Sequence, residues 1–169
     1  MKIRHGFVTN SSSSSFVLAF KDDEDFAKFE EWCNDLDYNQ MKDFLMGFMD
    51  RDKSSLEEQK QKAIEFVEFA MTVDNLHEWL DERTKNIKEF SDRWEERQRL
   101  EKTDEYQSFK AKLLENEDIQ NKIKRIKEAE KICQGMIWDS NGGILEWAIR
   151  NRFLQSEFWD WTIYVQNVG

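Results

Sequence analysis

The chain has 169 residues and a formal net charge of −10, and it contains no proline. This acidity argues against non-specific nucleic-acid binding, which depends on basic side chains that neutralise phosphates. The 13 phenylalanines and seven tryptophans are enough for the core of one domain, and the absence of proline favours long, uninterrupted helices.

The N-terminal segment contains five consecutive serines between two apolar, β-prone stretches. Residues 16–20 form a short continuous apolar run, which predicts a buried strand. Gly6 and Asn10 favour tight turns of the backbone at the edges of the segment. The motif residues that form a candidate tag are Arg4, Gly6, Phe7, Asn10, Ser11, Ser12, Ser13, Ser14, Ser15 and Phe16.

This segment resembles the start of many uncharacterised proteins of bacteria, archaea and their phages. Those proteins begin with a pattern like Arg-x-Gly-Phe-Val-Ser/Thr-Asn, followed by five serines and a phenylalanine. Here the pattern covers residues 4–16, with Thr9 as a permitted variant, and it spans less than a tenth of the chain. The resemblance implies membership of that group. It implies no activity, cofactor or catalytic residue for residues 21–169.

Three interpretations of the serines remain open, and we favour the first. They form a structural loop between two short strands, or a tag that a partner or a modifying enzyme recognises. Phosphorylation would add about −1.5 to −2 charges per site. The third interpretation is a catalytic serine, which needs a positioned base and an oxyanion site. The chain has no Gly-x-Ser-x-Gly pattern, and His5 is the only nearby imidazole.

The next segment is strongly acidic, because residues 21–50 hold ten acidic and three basic side chains. Its four consecutive acids at 22–25 predict a helix start, since carboxylates stabilise the positive end of a helix dipole. A second, shorter helix is predicted around residues 41–49. The candidate partner-binding residues of this segment are Asp22, Asp23, Glu24, Asp25, Glu30, Glu31, Asp35 and Asp37.

Two overlapping capping-box patterns, Ser54 with Glu57 and Ser55 with Glu58, predict the start of another helix. Asp74 is expected to cap the helix after it. The helix that begins at these capping boxes is predicted to have an apolar face, which contains Ala63, Ile64, Phe66, Val67, Phe69, Ala70 and Met71.

A long antiparallel helical hairpin is predicted for residues 74–134, with one arm along 74–100 and the other along 104–134. Thr103 begins the second arm, whose apolar stripe changes phase near Asn116 and continues to Cys133 and Ile137. The seam of the first arm is predicted to contain Leu76, Leu80, Arg83, Ile87, Phe90 and Trp94.

Two interpretations fit the break at residues 139–143. In the first, the break is the turn of a β-hairpin between residues 136–138 and 144–147. In the second, which we prefer, it separates two helices. Near the end of the chain, Trp159, Trp161, Ile163 and Val165 alternate with polar residues, which predicts a half-buried strand. We expect this strand to pair with residues 16–20.

These elements predict an α+β fold that is predominantly α-helical. A long antiparallel helical hairpin accompanies a small sheet formed by the N- and C-terminal strands. We expect a single domain with four parts: the motif and first strand at 1–20, acidic helices at 21–73, the hairpin at 74–134, and a helix and strand at 135–169.

The sequence carries few signals for chemistry. His77 and Asp81 share a helix face, but a zinc protease motif requires a second histidine there. The loop at 139–143 begins like a calcium loop and then departs from it, and no glycine-rich phosphate loop is present. We therefore predict no metal, no cofactor and no catalytic residue.

No segment has the apolar length of about 20 residues that a membrane-spanning helix needs. Polar serines occupy the place where a signal peptide would be apolar. Cys33 and Cys133 form no CxxC pattern, which suits thiols in a reducing compartment. We expect a cytoplasmic protein without membrane association.

The function expected from these features is a small acidic protein-binding module, of phage or mobile-element origin, whose protein partner has a basic surface. Direct nucleic-acid binding is not expected. One alternative is an anti-defence inhibitor of a nucleic-acid-processing host enzyme that acts through the acidic surface, since complementary charge speeds association. Another is an enzyme with an unfamiliar site, which would need polar groups that converge in a pocket.

Overall fold

The computed structural model describes residues 13–35, 53–138 and 162–168. In the described residues the elements are, in order, β1 (Ser13–Phe20), α1 (Asp23–Asp35), α2 (Leu56–Thr84), α3 (Phe90–Leu100), α4 (Asp104–Leu114), α5 (Glu117–Glu128), β2 (Lys131–Trp138) and β3 (Thr162–Val168). The predicted class, α+β and mainly α-helical, is confirmed.

The chain forms two compact units. One unit, here called the sheet unit, comprises residues 1–63 and 125–169, and the other, the helical unit, comprises residues 64–124. Helices α2 and α5 each contribute residues to both units. The single domain expected from the sequence is thus organised as two units, each of which is described separately below.

The sheet has the strand order β2-β1-β3, and both pairings are antiparallel. The predicted pairing between the N- and C-terminal strands is therefore confirmed, with β2 as an additional strand. Residues 16–20 of β1 are all buried. Because successive side chains of a strand point to opposite faces, this continuous burial means that both faces of the sheet are covered at β1.

The pairing of β1 with β3 contains an irregularity. Val17 lies opposite Tyr164 and Leu18 lies opposite Thr162, so the register passes over Ile163. An extra residue of this kind is a β-bulge. The strict alternation predicted for the C-terminal strand is therefore interrupted at Ile163.

The prediction extended the second arm of the hairpin too far along the chain. Helix α5 ends at Glu128, and residues 131–138 form β2, so Cys133 and Ile137 lie in a strand. The backbone N–H of Glu130 donates to the carbonyl of Phe20 at 2.8 Å, next to the first β1–β2 pair. Short apolar runs fit a helix or a strand equally well, and pairing with β1 decides between them. The predicted segments 41–49 and 144–147, with the break at 139–143, Trp159 and Trp161, lie outside the described residues. Residues 136–138, before the break, belong to β2 and not to a helix.

Helix α1 packs on β1 through aromatic side chains. The ring of Phe20 contacts Phe26 edge-on, with centroids 5.2 Å apart, and lies 5.1 Å from the ring of Phe29. Phe20 and Phe29 are both almost fully buried. This cluster belongs to the core of the sheet unit, which also contains Ala63, Ile126, Ala129, Ile132 and Cys133.

Helix α2 starts at the second of the two predicted capping boxes. The backbone N–H of Ser55 donates to the Glu58 carboxylate at 2.8 Å, and the N–H of Glu58 donates to Ser55 Oγ at 3.3 Å. The helix then continues through Asp74, which therefore caps no new helix. Thr72, just before it, satisfies its hydroxyl inside the helix by donating to the Glu68 carbonyl at 2.7 Å.

The first arm of the predicted hairpin is interrupted, because α2 ends at Thr84 and α3 begins at Phe90. Asp81 and Arg97 nevertheless form an ion pair of 2.8 Å. A continuous helix would place residues 16 positions apart about 24 Å from each other. The chain therefore reverses direction at residues 85–89, and α3 folds back beside the end of α2.

The helix start at Thr103 was predicted correctly, whereas the change of phase predicted near Asn116 is a break between two helices. Thr103 caps α4, since its hydroxyl accepts the backbone N–H of Tyr106. Asn116 caps α5, since its side-chain oxygen accepts the N–H of Asp118 at 2.9 Å. The core of the helical unit contains Val67, Thr72, Leu76, Leu80, Thr84, Ile119 and Ile123.

Candidate functional site

The serine motif lies partly in the central strand of the sheet. Ser13, Ser14 and Ser15 belong to β1, and the register pairs each of them with residues of both β2 and β3. Ser15 is 8% exposed, so a modifying enzyme would reach it only if the strand left the sheet. Phe16 is fully buried. The motif residues outside the described part of the chain are Arg4, Gly6, Phe7, Asn10, Ser11 and Ser12.

The acidic run 22–25 lies at the start of α1, as predicted. The carboxylate of Asp22 accepts the backbone N–H of Asp25 at 2.9 Å, so Asp22 acts as the N-cap. Other candidate acids are placed as follows: Glu30, Glu31 and Asp35 belong to α1, and Asp37 lies outside the described residues.

Two of these acids form ion pairs with lysines. Asp23 pairs with Lys131 of β2 at 2.7 Å, and Glu24 pairs with Lys28 at 3.0 Å. The hydrogen bond to Glu24 is the main reason that the pKa of Lys28 is raised. The carboxylates of Asp23 and Glu24 remain 87% and 79% exposed. Pairs this exposed are weak, so both carboxylates remain accessible to a partner.

The helical unit is organised around Trp79 of α2. Its ring lies 5.5 Å from that of Tyr106 and 6.1 Å from that of Phe109, both of α4. The guanidinium carbon of Arg83 lies 3.5 Å from the Trp79 ring centroid, and the same guanidinium pairs with Glu105 at 2.5 Å. A carboxylate, a guanidinium and an aromatic ring therefore join α2 to α4.

Helix α3 exposes two large aromatic side chains. Phe90 is 75% exposed and Trp94 is 56% exposed. They are one helical turn apart and therefore lie on the same side of α3, which we call the aromatic face. No residue of α3 or of α4, both of which are described in full, is buried. The helical unit thus leaves these side chains in solvent.

A groove of about 350 Å³ lies among α2, the end of α3 and α4. Among its lining residues, Thr72 and Leu76 are buried, whereas Phe69 is 64% exposed. Glu101 follows Trp94 by two helical turns, so these two residues lie on the same side of α3. The other lining residues are Glu65, Glu68, Val73, His77, Tyr106 and Lys110.

The electrostatics of the groove affect Tyr106. Partial burial is the main cause that raises the pKa of its hydroxyl, and the negative charge of Glu101 raises that pKa further. Arg97 acts in the opposite direction. The side chains of Tyr106 and Glu101 are therefore close enough to interact across the groove.

The histidine and acid singled out in the sequence have separate environments. His77 lies at the groove, whereas Asp81 pairs with Arg97. The described residues contain no group of three or more His, Cys, Asp or Glu side chains that would hold a metal ion. Within the same ranges, no helix combines the length and the apolar character required to cross a bilayer.

The sequence placed Phe90 and Trp94 in a covered seam and Phe69 on a buried face, whereas all three are exposed. The groove was not predicted, because its residues come from three helices and no local spacing connects them. Comparisons of the chain with protein-family models, with curated proteins and with solved structures found no match.

Proposed function

We propose that the chain is a small acidic protein-binding module that docks a partner protein through the aromatic face. The observation that carries this proposal is the exposure of Phe90 and Trp94 on a helix that buries none of its own residues. Large aromatic side chains are enriched at the energetic centres of protein interfaces, where they lose contact with water. Exposed aromatics also cost solubility in an isolated protein, which favours a covering partner.

The net charge of −10 supports a partner with a basic surface and argues against direct nucleic-acid binding. We further propose a cytoplasmic location and a phage or mobile-element origin, the latter on the resemblance of residues 4–16 alone.

The experiment that tests this function places a photo-crosslinking amino acid at Gln98, which is exposed on the side of α3 that carries Trp94. In cells that naturally produce the protein, irradiation should give one discrete protein adduct. The double substitution Phe90→Ser and Trp94→Ser should abolish it. Because both side chains are exposed, this variant should change the free energy of unfolding by less than about 1 kcal/mol.

The matched control places the same amino acid at Glu78, an exposed residue of α2 that does not line the groove. Adducts of equal yield from both positions, or an adduct from Gln98 that survives the double substitution, would refute docking through the aromatic face.

A second candidate function is inhibition of a nucleic-acid-processing enzyme through the acids of α1. The exposure of the Asp23 and Glu24 carboxylates favours it. Reversal of both charges to lysine should then abolish inhibition of the target and reduce the salt dependence of association. Inhibition that survives this reversal would exclude the candidate.

A further inference from the structure

The groove of the helical unit combines negative charge with aromatic surface. Its lining residues include the glutamates Glu65, Glu68 and Glu101 and the aromatic residues Phe69 and Tyr106. Lys110 also lines it, but among the described residues no ion pair joins Lys110 to Glu68 or Glu101. The groove is therefore suited to a cation that carries apolar surface.

The helical unit already contains one arginine that contacts both an aromatic ring and a carboxylate. The guanidinium of Arg83 lies against the ring of Trp79 and pairs with the carboxylate of Glu105. The groove offers the same two kinds of group, a carboxylate and an aromatic ring. Guanidinium groups are planar and weakly hydrated, so they stack on aromatic rings and accept burial better than ammonium groups do.

We infer that the groove binds the side chain of an arginine from the partner protein, between the carboxylates of Glu68 and Glu101 and beside the rings of Phe69 and Tyr106. The glutamates among its lining residues and the position of Glu101 on the same side of α3 as Trp94 support this occupant. The identity of the arginine as a partner residue rests on the proposed function, whereas the preference of the groove for a guanidinium does not.

The negative potential that this inference requires also acts within the protein. After burial, the charge of Glu101 is the next cause that raises the pKa of Tyr106, ahead of the opposing effect of Arg97, so Glu101 disfavours a second negative charge near this hydroxyl. A bound cation would experience the same field as an attraction. The volume of about 350 Å³ lies at the lower end of the range of small-molecule sites, which is large enough for one arginine side chain.

The test uses the full chain and amide NMR titrations with three small probes: N-acetyl-arginine amide, its neutral analogue N-acetyl-citrulline amide, and spermidine. The arginine derivative should shift the amide signals of Thr72, Val73 and Tyr106. The citrulline derivative should leave them unchanged, because it has a similar shape but no charge. Spermidine should bind more weakly than the arginine derivative.

Substitution of Glu68→Gln or Glu101→Gln should weaken binding of the arginine derivative at least about tenfold, the loss expected for one charge-assisted hydrogen bond. Glu78→Gln, outside the groove, should leave binding unchanged. Equal shifts with arginine and citrulline derivatives, tighter binding of spermidine, or wild-type affinity in the Glu101→Gln variant would each overturn the inference.

The two proposals fail separately. If the arginine derivative binds but crosslinking at Gln98 fails, the groove is a guanidinium site and the proposed docking is wrong. If crosslinking succeeds and the arginine derivative does not bind, the protein docks a partner and the groove holds no arginine. Phe90→Ser with Trp94→Ser should leave binding of the arginine derivative intact.

Discussion

Asp81 of α2 and Arg97 of α3 are joined by an ion pair of 2.8 Å between Oδ1 and Nη1, across the turn at residues 85–89. The Arg97 side chain is 17% exposed, and Asp81 is much more exposed. Nearby, the guanidinium of Arg93 donates to the carbonyl of Ile87 at 3.0 Å through Nε. Two arginines of α3 therefore hold the helix that carries the aromatic face against the end of α2 and its following turn.

A double-mutant cycle with Asp81→Asn and Arg97→Gln should give a coupling energy of about 0.5–1 kcal/mol in urea unfolding. Arg97→Gln alone should cost more than Asp81→Asn, because Arg97 also loses packing of its aliphatic stem. The control cycle at Glu96 and Arg99, a pair within one helix, should give less than about 0.5 kcal/mol. Zero coupling at Asp81 and Arg97 would show that the pair does not hold the helices together.

The capping box at Ser55 and Glu58 provides a local test of the start of α2. Ser55→Ala should lower the free energy of unfolding by about 1 kcal/mol, because the backbone N–H of Glu58 then loses the hydroxyl oxygen that accepts it. Amide exchange at the first turn of α2 should also become faster. Ser108→Ala, at an exposed position inside α4, is the control and should change stability by less than about 0.5 kcal/mol. Equal effects of the two substitutions would contradict the assignment of the cap.

The pKa of Tyr106 should report on the groove. Glu101→Gln should lower it, because the negative charge that disfavours the tyrosinate is removed, and Arg97→Gln should raise it. The measurement is an NMR titration of protein labelled at the tyrosine ζ carbon. If the two substitutions shift the pKa in the same direction, the arrangement of charges around the hydroxyl is wrong.

The raised pKa of Tyr106 also predicts how the free energy of unfolding changes at high pH. The folded-state pKa of Tyr106 lies above its unfolded value. The contribution of this residue to the free energy of unfolding is therefore fully present below pH about 10. It is lost as the pH rises through the folded-state pKa. Tyr106→Phe should therefore weaken the dependence of stability on pH in this alkaline range, as measured by urea unfolding.

The position of Ser15 in the central strand leads to a test of the tag interpretation. Ser15→Asp places a carboxylate in a buried, doubly paired strand, which should cost several kcal/mol or unfold the sheet unit. Ser15→Ala should be tolerated, and Ser108→Asp should change stability by less than about 0.5 kcal/mol. Thermal unfolding followed by circular dichroism distinguishes these variants. Wild-type stability of Ser15→Asp would mean that this residue is accessible for modification.

Local chemistry explains which elements could be predicted from the sequence. The helix starts at Asp22, Ser55 and Thr103 depend on side chains within three residues of the backbone groups that they satisfy, so a local pattern predicted them. The same kind of pattern was wrong at Asp74, and Asn116 was not predicted as a cap. The buried strand at 16–20 was also predicted, because its run of five apolar residues is short for a helix and contains β-prone residue types.

The remaining features depend on contacts between distant residues. Residues 131–138 have a pattern that suits a helix or a strand, and only pairing with β1 makes them a strand. Periodicity places Phe90 and Trp94 on one face of a helix, but it does not reveal whether another element covers that face. The candidate site was missed for this reason.

The position of β1 at the centre of the sheet has a consequence for synthesis on the ribosome. Phe16 emerges early, but the residues that pair with it are Gly135 of β2 and Val165 of β3. All contacts inside the helical unit lie within residues 64–124, closer in sequence than the β1 pairs, so this unit should form first, since contacts of long sequence separation form slowly. Pulse-labelling hydrogen exchange should show protection in residues 64–124 before β1. Until the last strand is made, the most apolar segment of the chain is exposed to aggregation or to a chaperone.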